Sequence, residues 1–594
     1  MPDYTDNRTA LPPADPLATG ENASMPDETA DEPIDKVDLR SRDLYEPLER
    51  TAHRALLHVV GVSHADMGKP LVAIVNSWNE VVPGHIHLRA LGELVKQGVR
   101  EAGGMTLEFD TIAMCDGMAQ GHAGMGFSLP SREAIADTVE IMIEGHRFDA
   151  MVMLSSCDKI EPAHLMAALR INIPTVILTG GPMEGGHYRE HSEITLSTMR
   201  EFAGQVKIGK LTREELTEIE KAALPGPGSC SMMGTANTMG CLIEALGMSP
   251  PGCGTMLAVD PRRPALAREA GRLVIQCLRR RLTPRRIVTR PAIENAMVVD
   301  MALGGSTNSI LHLLAIAYEG GIPLALDEFD AVARRVPLLC NVKPSGQYSV
   351  GRMDEAGGVP ALMQELRDLL HLDVLTVTGK TLGENIAGAV VTNREFIRPL
   401  TAPLSPEGSL AILYGSLAPD GSVVKQTGIR FKKMLKHRGP ARVFENMEEA
   451  VRAFMGDAVK PGDVVVVRYE GPKGGPGMRE MHQITSIMVG MGLDEHCGLV
   501  TDGRFSGSTR GPCIGHISPE AAEGGPIALV QEGDLIDYDI PNRHLDLLVT
   551  PDELARRRLA WEPPKRELKG ILARYAKLAE SASKGAILRG PIDG

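Results

Sequence analysis

The sequence predicts an α/β fold in which an N-terminal parallel-sheet domain is followed by a C-terminal, mostly β, barrel-like domain. Three observations predict this division. From about residue 71, β-branched runs alternate with helical patterns, and beyond about residue 384 short β-rich segments replace them. The chain of 594 residues also exceeds what one hydrophobic core usually supports. We therefore expect a disordered leader over residues 1–36, an α/β domain over residues 37–384 and a β-barrel-like domain over residues 385–594.

The leader is predicted from its composition. Its 36 residues carry nine acidic and two basic side chains, several prolines and no apolar periodicity. A transit peptide would be poor in acidic residues, so we do not interpret the segment as one.

The predicted α/β domain opens with a regular alternation of strands and helices. Its segments are, in order, PLVAIVNSW, HLRALGELVKQGVREAGG, TLEFDTIAM, SREAIADTVEIMIEGHRF and DAMVMLSS. Ligands of parallel sheets bind at the carboxyl ends of the strands. Cys115-Asp116 and Cys157-Asp158 each come just after a predicted strand, so we expect the two pairs to meet.

The predicted barrel-like domain consists of short strands separated by Gly, Pro and Asp turns. Its strand segments include GSLAILYGSL, ARVFENM, DVVVVRYEG, HCGLVTDG and HLDLLVT. Two of its loops are candidates for function. Glu470 directly follows an apolar strand in RYEGPKGGPGMREM, and Ser506 lies between Phe505 and Gly507 in TDGRFSGSTRG. The alternative interpretation of each loop is an ordinary β-turn.

Composition excludes several function classes. A net charge of −13 and an isoelectric point near 5.8 argue against a nucleic-acid-binding surface. No continuous apolar run reaches the length of a membrane span, so we expect no membrane partner. Nine cysteines without the dense spacing of a disulfide scaffold indicate a reducing, cytoplasmic location.

The two Cys-Asp pairs are the most informative feature of the chain, because each sets a soft thiolate beside a hard carboxylate. Thiolates select iron–sulfur clusters, zinc or copper(I), whereas carboxylates select magnesium, manganese or calcium. A third thiol, Cys230, lies in the Gly/Pro/Ser loop PGPGSCSMMG. These residues suggest an iron–sulfur cluster next to a divalent ion. The alternative is that the three cysteines are simply buried apolar side chains.

Five long motifs, in the same order, resemble those of the dihydroxy-acid dehydratase and 6-phosphogluconate dehydratase family, most closely its dihydroxy-acid dehydratases. They are CDKIEPAHLMAALRINIPTVILTGGPM, GSCSMMGTANTMG, GGSTNSILHLLA, RYEGPKGGPGM and TDGRFSGSTRG followed by GHISPEAA. The resemblance runs from about residue 36 to the C-terminus. It implies an α/β domain followed by a barrel-like domain, and an enzyme that removes water from 2,3-dihydroxy acids to give 2-keto acids.

The resemblance also implies roles for individual residues. Cys157 and Cys230 would ligate the cluster, and a magnesium ion would be bound by Asp116, Asp158 and Glu470. Lys159 would be a carbamylated lysine that completes the magnesium site, whereas a solvated surface lysine is its alternative interpretation. Ser506 would be the catalytic base that removes the proton from C2.

One departure from the family pattern bears on the type of cluster. Where many members have a third cysteine, this chain has Gly84, and members with that cysteine hold a [2Fe-2S] cluster. Cys115 replaces it here, as in the 6-phosphogluconate dehydratase branch, whose cluster is [4Fe-4S]. We therefore favour [4Fe-4S], with [2Fe-2S] as the alternative, because three thiolates would leave one of four irons open to the substrate hydroxyl.

The substrate is predicted to be 2,3-dihydroxyisovalerate, converted to 2-ketoisovalerate in branched-chain amino-acid synthesis. The alternative is an aldonate such as gluconate or xylonate, or activity on both classes. The candidate pocket residues His122, Ser508 and Thr509 are polar and do not separate these substrates. The resemblance further implies a homo-oligomer. A competing hypothesis is a non-catalytic iron–sulfur or zinc protein, which would need the thiols but not Lys159, Glu470 or Ser506.

The remaining candidate residues are interpreted as structural. Four further histidines are assigned no metal, and six further cysteines are expected in the core. The loop of residues 304–308 has no P-loop lysine and is expected to form part of the active-site wall. The histidines are His85, His87, His164 and His516, and the cysteines are Cys241, Cys253, Cys277, Cys340, Cys497 and Cys513.

Overall fold

The N-terminal half is built on a four-stranded parallel sheet with the strand order β2-β1-β3-β4. The computed structural model describes residue 33 and residues 36–207 and 209–589, so the predicted leader lies outside the described residues except at residues 33 and 36. The strands of this half are β1 (Leu71–Asn76), β2 (Met105–Asp110), β3 (Ala150–Ser155) and β4 (Thr175–Thr179), with a hairpin of β5 (Gly186–Tyr188) and β6 (His191–Ile194).

Helices make up most of the rest of this half. They are α1 (Arg42–Tyr45), α2 (Thr51–Val59), α3 (Leu88–Glu101), α4 (Asp116–Ala119), α5 (Ser128–Gly145), α6 (Ile160–Ile171), α7 (Leu196–Lys207), α8 (Arg213–Ala223), α9 (Thr235–Ala245), α10 (Arg263–Arg279), α11 (Pro284–Ile287), α12 (Arg290–Leu303), α13 (Asn308–Glu319), α14 (Leu326–Arg335), α15 (Gly351–Glu355), α16 (Gly358–Glu365) and α17 (Leu382–Ile386). Helices α3 and α10 pack on one face of the sheet, and α6 packs on β3 and β4. Strands β1 and β3 are buried along their whole length, as central parallel strands are.

All four strands of this sheet are parallel, but the chain adds them on opposite sides of β1. The connection from β1 leads to β2 on one side, and the next connection returns to β3 on the other side. Such a switch point leaves a crevice at the carboxyl ends of the strands, and it is where open parallel sheets bind ligands. The predicted strands and helices of this half are confirmed, and their order places both Cys-Asp pairs at this edge.

The C-terminal half contains one eight-stranded sheet with the order β14-β13-β9-β10-β11-β12-β8-β7. Its strands are β7 (Leu410–Leu413), β8 (Gly421–Lys425), β9 (Lys436–Phe444), β10 (Val464–Val467), β11 (Gly498–Thr501), β12 (Cys513–Ser518), β13 (Leu535–Asp539) and β14 (His544–Leu547). Its helices are α18 (Met447–Met455), α19 (His482–Gly490), α20 (Pro551–Ala560) and α21 (Gly570–Leu578).

The two outer strands of this sheet approach each other. The Tyr414 amide donates to the Arg543 carbonyl (3.0 Å), and the Leu545 amide donates to the Tyr414 carbonyl (2.9 Å). The sheet therefore curls into a nearly closed barrel, which leaves little free strand edge. The predicted fold class is thus confirmed in both halves.

Short 3₁₀ helices connect several of these elements. They are Leu48–Arg50, Ala123–Phe127, Arg367–Leu369, Gln426–Gly428, Lys432–Leu435, Leu493–Glu495, Ala521–Glu523, Pro526–Leu529 and Ala582–Lys584. Within the described residues, no helix combines the length and the apolar character that crossing a bilayer requires. All nine cysteines lie in the described part of the chain as free thiols.

Candidate functional site

Three carboxylates form the centre of the candidate site. Asp116 begins α4 after β2, Asp158 follows β3, and Glu480 precedes α19 in the other half of the molecule. One oxygen from each lies within 4.8 Å of the others. Asp116 and Glu480 are buried, and Asp158 is half-buried. Carboxylate oxygens gathered in this way suit a magnesium or manganese ion.

Lys159 is buried completely beside two of these carboxylates. Its Nζ lies 2.9 Å from Asp116 Oδ2 and 3.8 Å from Asp158 Oδ2. Burial opposes ionisation of Asp116, but the charges of Lys159 and Arg504 outweigh it and hold the Asp116 pKa below its usual value. The lysine therefore lies inside the carboxylate site, and the alternative of a solvated surface lysine is excluded.

The pKa of Asp158 shifts in the opposite direction to that of Asp116. Burial raises its pKa, with Lys159 opposing the shift and the neighbouring Asp116 adding to it. The backbone amide of Ala236, in the first turn of α9, donates to Asp158 Oδ1 (3.1 Å). A divalent cation between the two close, buried carboxylates would favour the ionised form of both.

Glu470 does not belong to this carboxylate group. It is fully buried, but its carboxylate accepts hydrogen bonds from Arg479 Nε (2.8 Å) and Nη2 and from the Met447 amide (2.9 Å). Arg479 also donates to Glu448 at 2.7 and 3.0 Å. Glu470 is thus held in an ion pair directly after β10, and we replace it by Glu480 as the candidate metal ligand.

The Gly/Pro loop explains why Glu480, ten residues later, reaches the site. Gly477 adopts φ +81°, and a Cβ there would lie 2.1 Å from the Gly126 carbonyl oxygen. The loop therefore contacts the N-terminal half closely, and the chain then enters the site at Glu480. The motif RYEGPKGGPGMREM contains both glutamates, so the sequence pattern alone could not decide between them.

Glu480 is oriented by donors from three separate elements. Arg504 Nη1 donates to its Oε1 at 2.6 Å, Asn308 Nδ2 donates to the same oxygen at 2.9 Å, and Gln120 Nε2 donates to Oε2 at 2.8 Å. Arg504 Nη2 also donates to Ser128 Oγ (3.0 Å), which donates to Asp116 (2.7 Å). Sequence reasoning missed Gln120, Arg504 and Glu480. Asn308 was included only as part of the expected active-site wall.

The three predicted cluster cysteines come together beside the carboxylates. Burial raises the pKa of the Cys157 thiol well above its usual range, and the nearby Cys115 and Cys230 thiols add to the shift. Burial also raises the pKa of Cys115. Three half-buried thiols close together are unfavourable as thiolates without a cation, and this donor set fits an iron–sulfur cluster.

Gly84 faces the same thiols. A Cβ at this position would lie 3.0 Å from Cys157 Sγ and 3.1 Å from Ser156 Oγ. A cysteine at residue 84 would therefore lie beside Cys157, and in this chain the nearby thiol is Cys115, which follows β2. The other six cysteines are buried, as expected.

Ser506 lies in a loop at the boundary between the two halves. It is 9% exposed, and its Oγ lies 3.0 Å from Ser508 Oγ. A Cβ on Gly507 would lie 2.7 Å from the Gly234 Cα, at the start of α9, and 3.0 Å from the Ser306 Cβ. The loop thus contacts both the segment that carries Cys230 and the loop of residues 304–308.

The other predicted candidates have local roles in this structure. His122 caps a turn by donating from Nε2 to the Met118 carbonyl (2.8 Å) and accepting from the Gly124 amide (3.0 Å). Burial lowers the pKa of the four histidines considered above, to about 4 for His85 and about 3 for His164 and His516, and in the same direction for His87. These four are therefore neutral at physiological pH.

Comparisons with known proteins agree with this architecture. A family model described as "Dihydroxy-acid/6-phosphogluconate dehydratase N-terminal" matches residues 69–385, and its C-terminal counterpart matches residues 395–586. The chain belongs to the dihydroxy-acid/6-phosphogluconate dehydratase family. This dehydratase is 52% identical over 554 residues to "Dihydroxy-acid dehydratase 1" of Methanosarcina acetivorans, covering 93% of this chain and 100% of the relative.

Two further relatives are similar to this dehydratase over the same extent. The proteins named "Dihydroxy-acid dehydratase" from Ignicoccus hospitalis and from Moorella thermoacetica are each 52% identical over 553 residues, covering 93% of this chain and 100% of the relative. The protein is therefore an enzyme, a dehydratase that acts on dihydroxy acids, and its substrate is a small molecule.

Proposed function

We propose that this dehydratase uses an iron–sulfur cluster and a magnesium ion to convert 2,3-dihydroxy acids into 2-keto acids. The observation that carries the proposal is the meeting of three thiols, three carboxylates and a buried lysine at the carboxyl ends of β2 and β3. A soft and a hard donor set side by side suit two different metals. A redox sensor or a zinc protein would need no carboxylate site with an enclosed lysine.

Asp116, Asp158 and Glu480 would hold the magnesium ion. Lys159, as a carbamate, would supply further oxygen ligands in the same space. Its Nζ already lies between the two aspartates, and carbamylation would exchange a positive charge for a negative one beside the cation. The hydrogen bonds from Arg504, Asn308 and Gln120 would keep Glu480 aimed at the ion.

Cys115, Cys157 and Cys230 would hold the cluster, with [4Fe-4S] favoured over [2Fe-2S]. The support is that the three thiols lie together and that residue 84, next to Cys157 Sγ, is a glycine and supplies no further thiol. When bound, the cluster and the magnesium ion would supply Lewis acidity for the leaving C3 hydroxide and for the charge that develops next to C2.

Ser506 would act on the substrate directly. As an alkoxide, Ser506 would accept the C2 proton at Oγ and return it to the leaving C3 hydroxide, which departs as water, and the resulting enol would tautomerise to the 2-keto acid. The loop around Ser506 is almost fully buried against α9 and the loop of residues 304–308, which excludes bulk water from the reacting atoms.

We propose 2,3-dihydroxyisovalerate as the substrate, placing the enzyme in branched-chain amino-acid synthesis, with an aldonate as the alternative. The support is the printed name of the relatives above. We also propose a homo-oligomer in a reducing cytoplasm, and a domain boundary near residue 384. The nine free thiols support a reducing compartment. The gap between the two family matches supports the domain boundary.

The test is turnover by anaerobically purified protein with Mg²⁺, with 2,3-dihydroxyisovalerate, D-gluconate and D-xylonate compared by 2-keto acid formation. We expect a brown protein that prefers the branched acid. The Ser506→Ala variant should keep the brown colour and lose turnover. A colourless preparation would contradict the iron–sulfur cluster. Preference for an aldonate would replace 2,3-dihydroxyisovalerate by an aldonate as the assigned substrate. An active Ser506→Ala variant would contradict the role of Ser506.

A further inference from the structure

A chain of hydrogen bonds leads away from Ser506 to a histidine that no motif singled out. Ser508 Oγ lies 3.0 Å from Ser506 Oγ and 2.6 Å from His482 Nε2. His482 Nδ1 in turn lies 2.8 Å from Ser486 Oγ, one turn further along α19. Ser506, Ser508 and His482 are each less than one-tenth exposed, so these contacts are shielded from bulk water.

The backbone gives this chain a fixed frame. The Met481 amide donates to the Arg504 carbonyl (2.8 Å), while the Glu480 side chain receives Arg504 Nη1. Residues 480–482 are therefore locked to the segment that leads into the Ser506 loop. Glu480 reaches the carboxylate site and His482, two residues later, reaches Ser508, so one short segment contacts both parts of the candidate machinery.

The contacts allow two polarities, and an alkoxide at Ser506, the form that can take the C2 proton, selects one of them because it accepts hydrogen bonds and donates none. A serine hydroxyl has one proton to donate, and a neutral imidazole has one nitrogen that donates and one that accepts. If Nε2 carries the hydrogen, it donates to Ser508 Oγ, the Ser508 hydroxyl donates to Ser506 Oγ, and Nδ1 accepts from Ser486. The Ser508 amide also points at Ser506 Oγ (3.4 Å). In this arrangement Ser506 Oγ receives hydrogen bonds and keeps a lone pair for the substrate.

We propose that His482 is a positioning residue for the dehydration: through Ser508 it directs hydrogen-bond donors at Ser506, so that Ser506 Oγ, as an alkoxide, accepts the C2 proton. The inference rests on the proposed role of Ser506. It needs no change in the charge of His482, because the neutral ring supplies both the donor and the acceptor. His482 itself touches neither substrate nor metal in this assignment.

Two substitutions separate the contact to Ser508 from the contact to Ser486. In His482→Gln the side-chain amide can reach the position of Nε2 and donate to Ser508. In His482→Asn the shorter amide reaches only the position of Nδ1, so the bond to Ser486 can persist while the bond to Ser508 is lost. The two variants are otherwise similar in polarity and lack a titrating group.

We expect His482→Asn to lower kcat roughly tenfold with KM within about twofold, because one oriented hydrogen bond next to the base is lost. The isotope effect on kcat with C2-deuterated substrate should rise, because C2 proton transfer becomes slower relative to other steps. His482→Gln should recover most of kcat. Both variants should keep the brown colour and the wild-type Tm. A purely structural role would lower Tm and would not change the isotope effect.

Ser508 supplies a second pair of variants that leave α19 intact. Ser508→Ala removes the bridging hydroxyl and should reproduce the kinetics of His482→Asn, whereas Ser508→Thr keeps the hydroxyl and should resemble His482→Gln. Wild-type kinetics in His482→Asn and Ser508→Ala, or an equal loss in both members of each pair, would overturn the inference. An inactive wild-type enzyme, or an active Ser506→Ala variant, would instead overturn the proposed function.

Discussion

At the scale of single residues, the choice between two buried glutamates decides where the cation would bind. Glu470 and Glu480 are both buried, and both contact an arginine. Glu470 is neutralised by Arg479 within its own half, whereas Glu480 joins Asp116 and Asp158 across the boundary between the halves. The Glu470 charge therefore stabilises the fold of its own half, whereas the Glu480 charge adds to the negative charge of the carboxylate site.

The two glutamates form a matched pair for mutation. Glu480→Gln should reduce kcat roughly 100-fold and raise the Mg²⁺ concentration needed for activity, because a charged oxygen ligand becomes neutral. Glu470→Gln should keep kcat within a few-fold and lower stability by about 2 kcal/mol, because Arg479 loses one of its two carboxylate partners. Magnesium titrations of activity and thermal unfolding would measure both effects. Equal magnesium responses in the two variants would contradict the assignment.

A third buried glutamate, Glu244 at the end of α9, should make stability depend on pH. It accepts backbone N–H groups from Gly252 (2.6 Å) and Gly254 (2.8 Å), yet burial raises its pKa to about 7 from an ordinary 4.5. Between these values the folded protein holds a proton that the unfolded chain has lost. The protonated Glu244 therefore contributes fully to the free energy of unfolding below about pH 4.5. As pH rises from there to about 7, the free energy of unfolding falls by on the order of 3 kcal/mol.

The variant Glu244→Gln isolates this effect, because glutamine does not titrate. We expect the Tm difference, variant minus wild type, to become more positive between pH 5 and pH 8. Thermal unfolding at several pH values in that window measures it. A difference that stays constant with pH would show that Glu244 is ionised in the folded protein throughout.

At the scale of elements, α3 and α10 approach so closely that two glycines are required. A Cβ on Gly98 would lie 1.9 Å from the Arg268 carbonyl oxygen, and a Cβ on Gly271 would lie 2.2 Å from the Val95 carbonyl oxygen. Both contacts are with backbone, which cannot rotate away. The glycines thus allow two helices to pack side by side on one face of the parallel sheet.

We predict that Gly98→Ala and Gly271→Ala each destabilise the protein by about 2 kcal/mol or more, although alanine is the better helix former. Gly145→Ala, at the end of α5, is the matched control, because nothing lies within 4 Å of its added Cβ. The control should leave Tm unchanged or raise it slightly. Comparable Tm values for all three variants would mean that the helices can move apart at little cost.

At the scale of the whole molecule, the C-terminal segment ties the two halves together. Arg132, fully buried in α5, donates through Nη2 to the carbonyls of Gly585 (2.9 Å) and Ala586 (3.2 Å), and the Tyr575 hydroxyl donates to Ala586 (3.1 Å). The Ala582 amide donates to Glu520 at 2.7 Å. Side chains of both halves form one apolar cluster with this segment, namely Leu129, Leu311, Met478, Tyr575, Ala579, Ala582 and Ala586.

Removing residues 570–594 should therefore destabilise both halves at once. The cluster would lose its cover and Arg132 would lose two buried acceptors, so we expect Tm to fall by about 5 °C or more and activity to be lost. Removing only residues 590–594 is the reference against which the effect of losing residues 570–589 is measured. Calorimetry of the two truncated proteins makes the comparison, and an unaltered Tm after the longer truncation would contradict the role of the segment.

The sequence predicted those features that depend on residues close together in the chain. Alternating β-branched and helical patterns predicted the parallel sheet and the curled β half, because these periodicities are local. The same patterns placed Cys115, Cys157 and Asp158 at strand ends, where the topology of a parallel sheet brings them together. The resemblance in the motifs indicated the family, and Ser506 and Lys159 were named from it.

Only the tertiary structure decided which partners these residues have. Glu480 and not Glu470 faces the aspartates, Arg504 and Gln120 orient it, and His482 contacts Ser508. Glu480 and Gln120 are 360 residues apart in the chain, and no periodicity records such a contact. The sequence by itself determined the fold class and the ends of strands that carry the chemistry. The packing of one half against the other determined which side chains complete the site, because a buried charge must find its partner wherever the folded chain places one.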